Sequence, residues 1–294
     1  MLAACAAVCA AVIWRPLRRR VTLRPCAALV TGGTEGIGYQ LARLLARDGH
    51  SVVIVARSAQ RLAAVAAELR AVHRAGAHGH AQVHTIRQDL GVAGAAAALH
   101  RRVTSAGIRV TLLVNNAGFA VNKPLFAIPP GRVEGMLACN VVTVAQLSRL
   151  FVGDMLAHGT GGKVLNLASF VSCCPSPGFG LYAATKSFVH SFSMSLAFNL
   201  SRQRRHADTP PVTVTSLCPG ATTSKFAARA GMTTSLIFRL GVVGTSEFVA
   251  QRGYDAWMNG EAWCIPSMLD YVTYFVLGVC PYWLSNRFTH AMVA

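Results

Sequence analysis

The stretch that decides the fold runs from residue 26 to residue 46 and reads CAALVTGGTEGIGYQLARLLA. An apolar run leads into a glycine-rich turn, and the turn opens a helical pattern. Free backbone N–H groups and the helix dipole meet at such a helix N-terminus, where they favour a phosphate pair. We expect Gly32 to make the tight turn, Gly36 to let a pyrophosphate approach the backbone, and Gly38 to let the helix pack closely on the sheet. The sequence therefore predicts a dinucleotide site, whose loop also contains Thr34, Glu35 and Ile37.

Short apolar runs rich in β-branched residues alternate with helical patterns along the rest of the chain. The predicted strands lie at 26–30, 52–55, 83–86, 110–114, 164–167, 212–217 and 262–265, and the predicted helices at 36–48, 58–74, 92–106, 132–158, 179–203 and 245–258. Continuous apolar strands separated by helices indicate a parallel sheet that is covered on both faces. The predicted fold is α/β, a single doubly wound Rossmann sheet with its ligands at the carboxyl ends of the strands.

Several further motifs follow these strands in a fixed order. They are Asn115-Asn116-Ala117-Gly118, the isolated Asn140, Ser169, the pair Tyr182 and Lys186, and Pro219-Gly220. With this set, the chain from about Cys26 to Pro266 resembles the short-chain dehydrogenase/reductase family in its Tyr-x-x-x-Lys branch. The wording at 115–119, 166–169 and 217–222 is similar to DltE-type reductases. The glycine turn resembles that of membrane-bound 3-oxoacyl-CoA and 17-beta-hydroxysteroid reductases.

Tyr182 and Lys186 are four residues apart on a predicted helix and so share one face. Transfer of a hydride to a carbonyl requires a proton donor, and a nearby ammonium group lowers the pKa of a tyrosine. The resemblance further implies that Lys186 binds the nicotinamide ribose, that Ser169 orients the substrate carbonyl, and that Asn140 holds a water for proton relay. Asn140 could instead be a helix asparagine that packs against a neighbour.

The resemblance also implies contacts with the cofactor. Asp89 would contact the adenine ring, and the backbone of Asn116, Ala117 and Gly118 would line the adenosine ribose. A further segment would close over the nicotinamide carboxamide, and its residues are Pro219, Gly220, Thr222 and Ser224.

The end of the second strand indicates which cofactor is used. It reads Val55-Ala56-Arg57-Ser58, with no acidic residue to hold a ribose 2′-hydroxyl. NADP(H) is therefore expected, with Arg57 as the ligand of the 2′-phosphate, Ser58 assisting and Arg61 as a further candidate. Arg57 could also be an ordinary surface arginine, and Glu35 in the glycine loop argues mildly against a phosphate.

Composition limits the remaining classes of function. The chain has 294 residues, a formal net charge of +17 and 53% hydrophobic residues. No basic stripe is interleaved with aromatic residues, so nucleic-acid binding is not expected. The nine cysteines show no Cys-x-x-Cys pattern, so neither a metal site nor a disulfide framework is indicated. Cys173 and Cys174 could line the substrate pocket, although inert loop thiols are the simpler interpretation.

The two ends of the chain are apolar. Residues 1–24 combine an apolar run with several arginines, which favours an anchor at the endoplasmic reticulum membrane, with a mitochondrial presequence as the alternative. Residues 25–266 form the predicted Rossmann domain. Residues 267–294 are predicted to be a membrane-surface helix or a flap over the cleft.

The predicted function is NADPH-dependent reduction of a hydrophobic ketone, such as an oxoacyl or steroid-like molecule, or oxidation of the corresponding secondary alcohol. The alternative is a catalytically silent, membrane-associated protein that binds NADP or a partner. A homodimer is expected by analogy with the family.

Overall fold

A parallel sheet of seven strands forms the centre of the computed structural model, which describes residues 27–76, 80–203, 210–223, 225–231 and 243–293. Within these residues its strands are β1 (Ala27–Thr31), β2 (Ser51–Ala56), β3 (Val83–Arg87), β4 (Val110–Asn115), β5 (Gly162–Leu167), β6 (Val212–Leu217) and β9 (Trp263–Cys264). They lie side by side in the order β3-β2-β1-β4-β5-β6-β9. A separate parallel pair consists of β7 (Thr222–Thr223) and β8 (Gly244–Thr245).

Helices cover both faces of this sheet. They are α1 (Gly36–Arg47), α2 (Ala59–Ala75), α3 (Ala95–Ser105), α4 (Pro130–Leu137), α5 (Thr143–Ala157), α6 (Gly180–Arg202), α7 (Lys225–Ala230), α8 (Ser246–Met258), α9 (Met268–Val279) and α10 (Tyr282–Val293). The helix predicted at 132–158 is divided by one π turn, Ala138–Val142, that joins α4 to α5.

The strands alternate their side chains between two cores, as the period of a β-strand requires. On one face, Val30 of β1 packs with residues of α1, α2 and α8, among them the fully buried Trp257. On the other face, Leu29 packs with residues of α3, α5 and α6, among them Phe151. The predicted doubly wound Rossmann fold is therefore confirmed.

The strand order reverses between β1 and β4, which places a crevice at the carboxyl ends of these strands. Gly32 directly follows β1 and Asn116 directly follows β4, while Ser169 follows β5 by two residues. The predicted motifs therefore meet at one edge of the sheet.

The N-terminal segment, residues 1–24, lies outside the described residues, and so does Ser224. Among the described helices, the continuous stretch Pro130–Ala157 is long and apolar enough to cross a membrane, but half of its apolar 18-residue window is buried within the protein, as in the core helix of a soluble protein. The apolar C-terminal segment forms α9 and α10. The division of the chain at residues 24 and 266 stays a prediction, as do the endoplasmic reticulum location and the homodimer.

Candidate active site

The turn after β1 requires glycine at two places. Gly32 has a φ of +65°, in the left-handed region, and its N–H donates to Val55 O at 2.8 Å. A Cβ on Gly38 would lie 2.6 Å from Gly32 O and closer still to Asn116 Nδ2. The first turn of α1 therefore packs directly on the ends of β1 and β4, as a dinucleotide-binding turn requires.

Thr31 holds that turn in place, although it is not among the predicted site residues. Its hydroxyl donates to Val114 O at 3.1 Å and accepts from the backbone N–H groups of Asn116 and Ala117, each at 3.0 Å. The Asn116 side chain donates to Thr31 O at 2.9 Å and to Gly32 O at 3.0 Å. One threonine directly before the glycines thus joins the two motifs on either side of the crevice.

Ser169, Tyr182 and Lys186 lie together along this crevice. Ser169 caps a short 3₁₀ turn, Phe170–Cys173, and its side chain is hydrogen-bonded to Tyr182. Lys186 lies one helical turn along α6, with Nζ 5.7 Å from the centroid of the Tyr182 ring. The ammonium group donates to Leu167 O at 2.6 Å, and both side chains are buried. The three residues that the sequence analysis grouped are therefore neighbours.

Burial dominates the charge states of this group. It raises the pKa of Tyr182, and the hydrogen bond with Ser169 offsets only part of the increase. Burial also lowers the pKa of Lys186 to about 8. The sequence predicts a lowered tyrosine pKa, whereas in the structure desolvation of the phenolate raises the pKa of Tyr182.

Asn140 lies in the π turn and behind the cavity. Its side chain accepts from Phe119 N at 3.1 Å, and it donates to Phe119 O at 2.9 Å and to Thr185 Oγ1 at 3.2 Å. A Cβ on Gly118 would lie 3.1 Å from Asn140 Oδ1 and 3.6 Å from Lys186 Nζ. Asn140 therefore fixes the backbone beside Lys186, and its role in holding a water stays a prediction.

The end of β2 carries a free cation. The Arg57 side chain is exposed and has no hydrogen bond or ion pair with any described residue. Arg61, by contrast, donates to Glu35 Oε2 at 2.6 Å, and Arg229 of α7 binds the same carboxylate. Burial acts to raise the pKa of Glu35, but the two guanidinium groups outweigh it and hold the pKa below its ordinary value.

Two neighbouring residues use their side chains locally. Ser58 Oγ accepts from Arg61 N at 3.3 Å and so caps α2, and Asp89 Oδ1 accepts from Gly91 N at 2.8 Å. Both residues still face the cavity.

A single cavity of about 840 Å³ joins these parts. Gly38 and Asn140 do not line it, and neither do Cys173 and Cys174. The predicted site residues that do line it are Gly32, Thr34, Glu35, Gly36, Ile37, Arg57, Ser58, Arg61, Asp89, Asn116, Ala117, Gly118, Ser169, Tyr182, Lys186, Pro219, Gly220 and Thr222.

The C-terminal helices also contribute to the cavity, through residues that the sequence analysis did not single out. They are Leu269, Asp270, Thr273, Phe288 and Thr289. The N–H of Gly220 donates to the Asp270 carboxylate, and burial raises the pKa of that carboxyl. In the sequence, Asp270 is distinguished only as the single acidic residue among residues 268–293.

Known proteins resemble this chain in sequence and in structure. It is 34% identical over 177 residues to the very-long-chain 3-oxoacyl-CoA reductase of Mycosarcoma maydis (60% of this chain, 49% of that protein). It is 31% identical over 175 residues to the very-long-chain 3-oxoacyl-CoA reductase-B of Danio rerio (58% of this chain, 53% of that protein). The matched region thus spans about half the length of these relatives.

A solved structure extends the likeness to most of the fold. The short-chain dehydrogenase from Sphingobium yanoikuyae in complex with NADPH has a TM-score of 0.70 and 26% identity, and the match covers 87% of this chain and 96% of that one. The family model described as short chain dehydrogenase matches residues 26–234, which include the glycine turn, Ser169, Tyr182 and Lys186. This chain belongs to the short-chain dehydrogenase family.

Proposed function

We propose that this protein is an NADP(H)-dependent oxidoreductase that reduces the carbonyl of a hydrophobic ketone and, in reverse, oxidises the secondary alcohol. The observation that carries the proposal is the hydrogen-bonded pair of Ser169 and Tyr182, with Lys186 beside it, in the cavity that the glycine turn also lines.

Tyr182 is suited to donate a proton to a ketone oxygen. Its raised pKa keeps the phenol protonated at neutral pH, which is the form that reduction needs. The Ser169 hydroxyl supplies a second donor to the same oxygen and so orients it. A bound nicotinamide would supply the hydride. Lys186 is protonated below about pH 8, and its positive charge favours the tyrosinate that remains after the proton has left.

The charges near the end of β2 support NADP(H). A 2′-phosphate pairs best with a guanidinium group that has no other partner, and Arg57 is such a group among the described residues. The solved relative from Sphingobium yanoikuyae holds NADPH, which agrees with this choice.

The lining of the cavity supports an apolar substrate. The apolar side chains that cluster with Tyr182 include Phe119, Val171, Phe179 and Phe226, and the cavity is also lined by Leu269 and Phe288. Two sequence relatives are named very-long-chain 3-oxoacyl-CoA reductases, so an oxoacyl chain is our first choice and a steroid-like ketone the second.

The test compares oxidation of NADPH and of NADH with a panel of hydrophobic ketones. Tyr182→Phe should lower kcat by about 100-fold or more, since general acid catalysis is worth about that much, while NADPH binding is kept. Tyr282→Phe is the matched control, because Tyr282 is 73% exposed and lies outside the cavity. Turnover retained in Tyr182→Phe would refute the mechanism. Tight NADPH binding with no oxidation of any ketone would favour the catalytically silent alternative.

A further inference from the structure

The outer side of the C-terminal helices is apolar and uncovered. Met268, Val272, Val276 and Val279 follow one another at helical spacing along α9, with exposed fractions of 62%, 53%, 51% and 82%. Tyr282 and Trp283, at the start of α10, continue the surface and are also mostly exposed. We call these six residues the C-terminal apolar face.

The opposite side of α9 and α10 is packed against the rest of the protein. The C-terminal apolar face is therefore not the side through which these helices join the core. Tyr271 and Tyr274 of α9 contact the Trp263 ring, with centroid distances of 5.9 and 5.5 Å, and Leu277 of α9 is buried. In α10, Ser285 and Thr289 are buried, and Thr289 Oγ1 donates to Pro175 O at 3.2 Å. The two helices therefore form a fixed wall with one side toward the protein and one side toward solvent.

That wall is also part of the cavity. Leu269, Thr273 and Phe288 line the same cavity as Tyr182, and Asp270 accepts from the N–H of Gly220 in the segment expected to contact the cofactor. An apolar molecule near the C-terminal apolar face is thus separated from the cavity by the width of a single helix.

The charges of this region identify the occupant. The only acidic residue among residues 268–293 is Asp270, and its carboxylate faces Gly220, so the C-terminal apolar face carries no negative charge. The guanidinium group of Arg287 is exposed on α10, and the whole chain has a formal net charge of +17. An apolar surface beside an exposed arginine, with exposed tyrosine and tryptophan, fits the interface of an anionic bilayer.

The length of the helices decides how they would lie. Each has 12 residues and is about 18 Å long, against a hydrocarbon core of about 30 Å, so neither can span it. We infer that the C-terminal apolar face binds in the plane of an anionic membrane and brings the mouth of the cavity to the lipid, from which apolar substrate enters. Substrate entry rests on the proposed function, whereas membrane binding does not.

The first experiment measures flotation of the full-length protein with vesicles of phosphatidylcholine and phosphatidylserine. The triple variant Val272→Asn, Val276→Asn, Val279→Asn should bind at least tenfold more weakly. The matched control is Val92→Asn, Phe126→Asn, Leu156→Asn, which replaces three apolar side chains that are 55%, 93% and 48% exposed elsewhere. Equal binding by the two triple variants would overturn the inference, as would wild-type protein that does not float.

The second experiment locates the contact, because residues 1–24 could also bind lipid. The chain has four tryptophans, and Trp14→Phe removes the one in that segment. In the Trp14→Phe variant, lipids with brominated acyl chains should quench part of the tryptophan fluorescence. That quenched part should be absent in the double variant Trp14→Phe, Trp283→Phe, which identifies it as the emission of Trp283. Failure of these lipids to quench Trp283 in floated protein would overturn the inference. The inference would also be overturned if the wild-type protein were a dimer without vesicles and the triple variant Val272→Asn, Val276→Asn, Val279→Asn were a monomer. The C-terminal apolar face would then join two copies of the chain.

The third experiment tests substrate entry. The triple variant at Val272, Val276 and Val279 should reduce a long-chain ketone embedded in vesicles at least fivefold more slowly than the control triple variant. The two variants should reduce a short, water-soluble ketone at equal rates. Equal rates on both ketones would refute entry from the lipid. If the wild-type protein reduces neither ketone, the proposed function fails, while the quenching of Trp283 still decides membrane binding.

Discussion

Lys186 should set the upper pH limit of the reaction. Burial lowers its pKa to about 8, so above that pH the ammonium group beside Tyr182 loses its proton and its charge. We expect the kcat for ketone reduction to fall as pH rises through about 8. A pH profile of kcat with saturating NADPH measures this, and a profile that stays flat to pH 10 would contradict it.

The stability of the protein should change in the opposite direction over the same range. Folding lowers the pKa of Lys186 from 10.5 to about 8, so between these values the unfolded chain holds a proton that the folded chain has released. The contribution of Lys186 to the free energy of unfolding therefore rises with pH, by about 3 kcal/mol across the window. Lys186→Met removes the titrating group, so the free energy of unfolding of the variant lacks this pH dependence. Measured in urea, the free energy of unfolding of the variant minus that of the wild type should therefore decrease between pH 8 and 10.5. An unchanged difference would show that the buried amine keeps its ordinary pKa.

Arg57 should determine the preference for NADPH over NADH. A hydrogen bond to a charged phosphate contributes about 1.5–3 kcal/mol, which corresponds to roughly 10- to 100-fold in affinity. We expect Arg57→Gln to raise the Kd for NADPH by that factor and to leave the Kd for NADH unchanged. Arg101→Gln is the control, since Arg101 is exposed on α3 and lies outside the cavity. An equal loss for both cofactors would mean that Arg57 does not contact the 2′-phosphate.

At the scale of single elements, the close packing of α1 on the sheet should depend on Gly38. An added Cβ would meet the backbone oxygen of Gly32 at 2.6 Å, which cannot move without opening the turn. Gly38→Ala should lower the free energy of unfolding by about 1–3 kcal/mol and weaken NADPH binding. Gly153→Ala is the matched control, because Gly153 is exposed in α5 with nothing within 4 Å of an added Cβ, and alanine there should be neutral or stabilising. Similar denaturation midpoints for the two variants would contradict this account.

The regular elements were predictable because their signals are local. The strands and the long helices follow hydrophobic periodicity, and the glycine turn and the Tyr-x-x-x-Lys pair follow fixed spacing, so their positions agree with the structure to within a few residues. The ion pairs of Glu35 with Arg61 and Arg229 were not predictable, because Arg229 is 194 residues away along the chain. The hydrogen bond from Gly220 to Asp270 was not predictable either, because the two residues are 50 positions apart. The direction of the Tyr182 pKa shift was not predictable because it depends on burial rather than on spacing.

At the scale of the whole molecule, a chain of buried amides and hydroxyls ties the sheet to one helix layer beneath the site. Asn115 of β4 donates to Ser148 of α5 at 3.0 Å and to Asn166 of β5 at 2.8 Å, and Asn166 donates to Ser193 of α6 at 2.9 Å. All four side chains are buried. Since α6 also carries Tyr182 and Lys186, these bonds fix the face of that helix that holds both residues relative to β5 and Ser169.

Two serines on α6 allow that tie to be tested with matched substitutions. Ser193 Oγ donates to Val189 O at 2.6 Å and Ser201 Oγ donates to Phe198 O at 2.7 Å, but only Ser193 also accepts from Asn166. Ser193→Ala leaves a buried amide hydrogen of Asn166 without an acceptor and should lower the free energy of unfolding by about 1–3 kcal/mol. Ser201→Ala, on an exposed serine, should change it by less than about 0.5 kcal/mol. Urea denaturation measures both, and equal effects would mean that the helix layer is held by apolar packing alone.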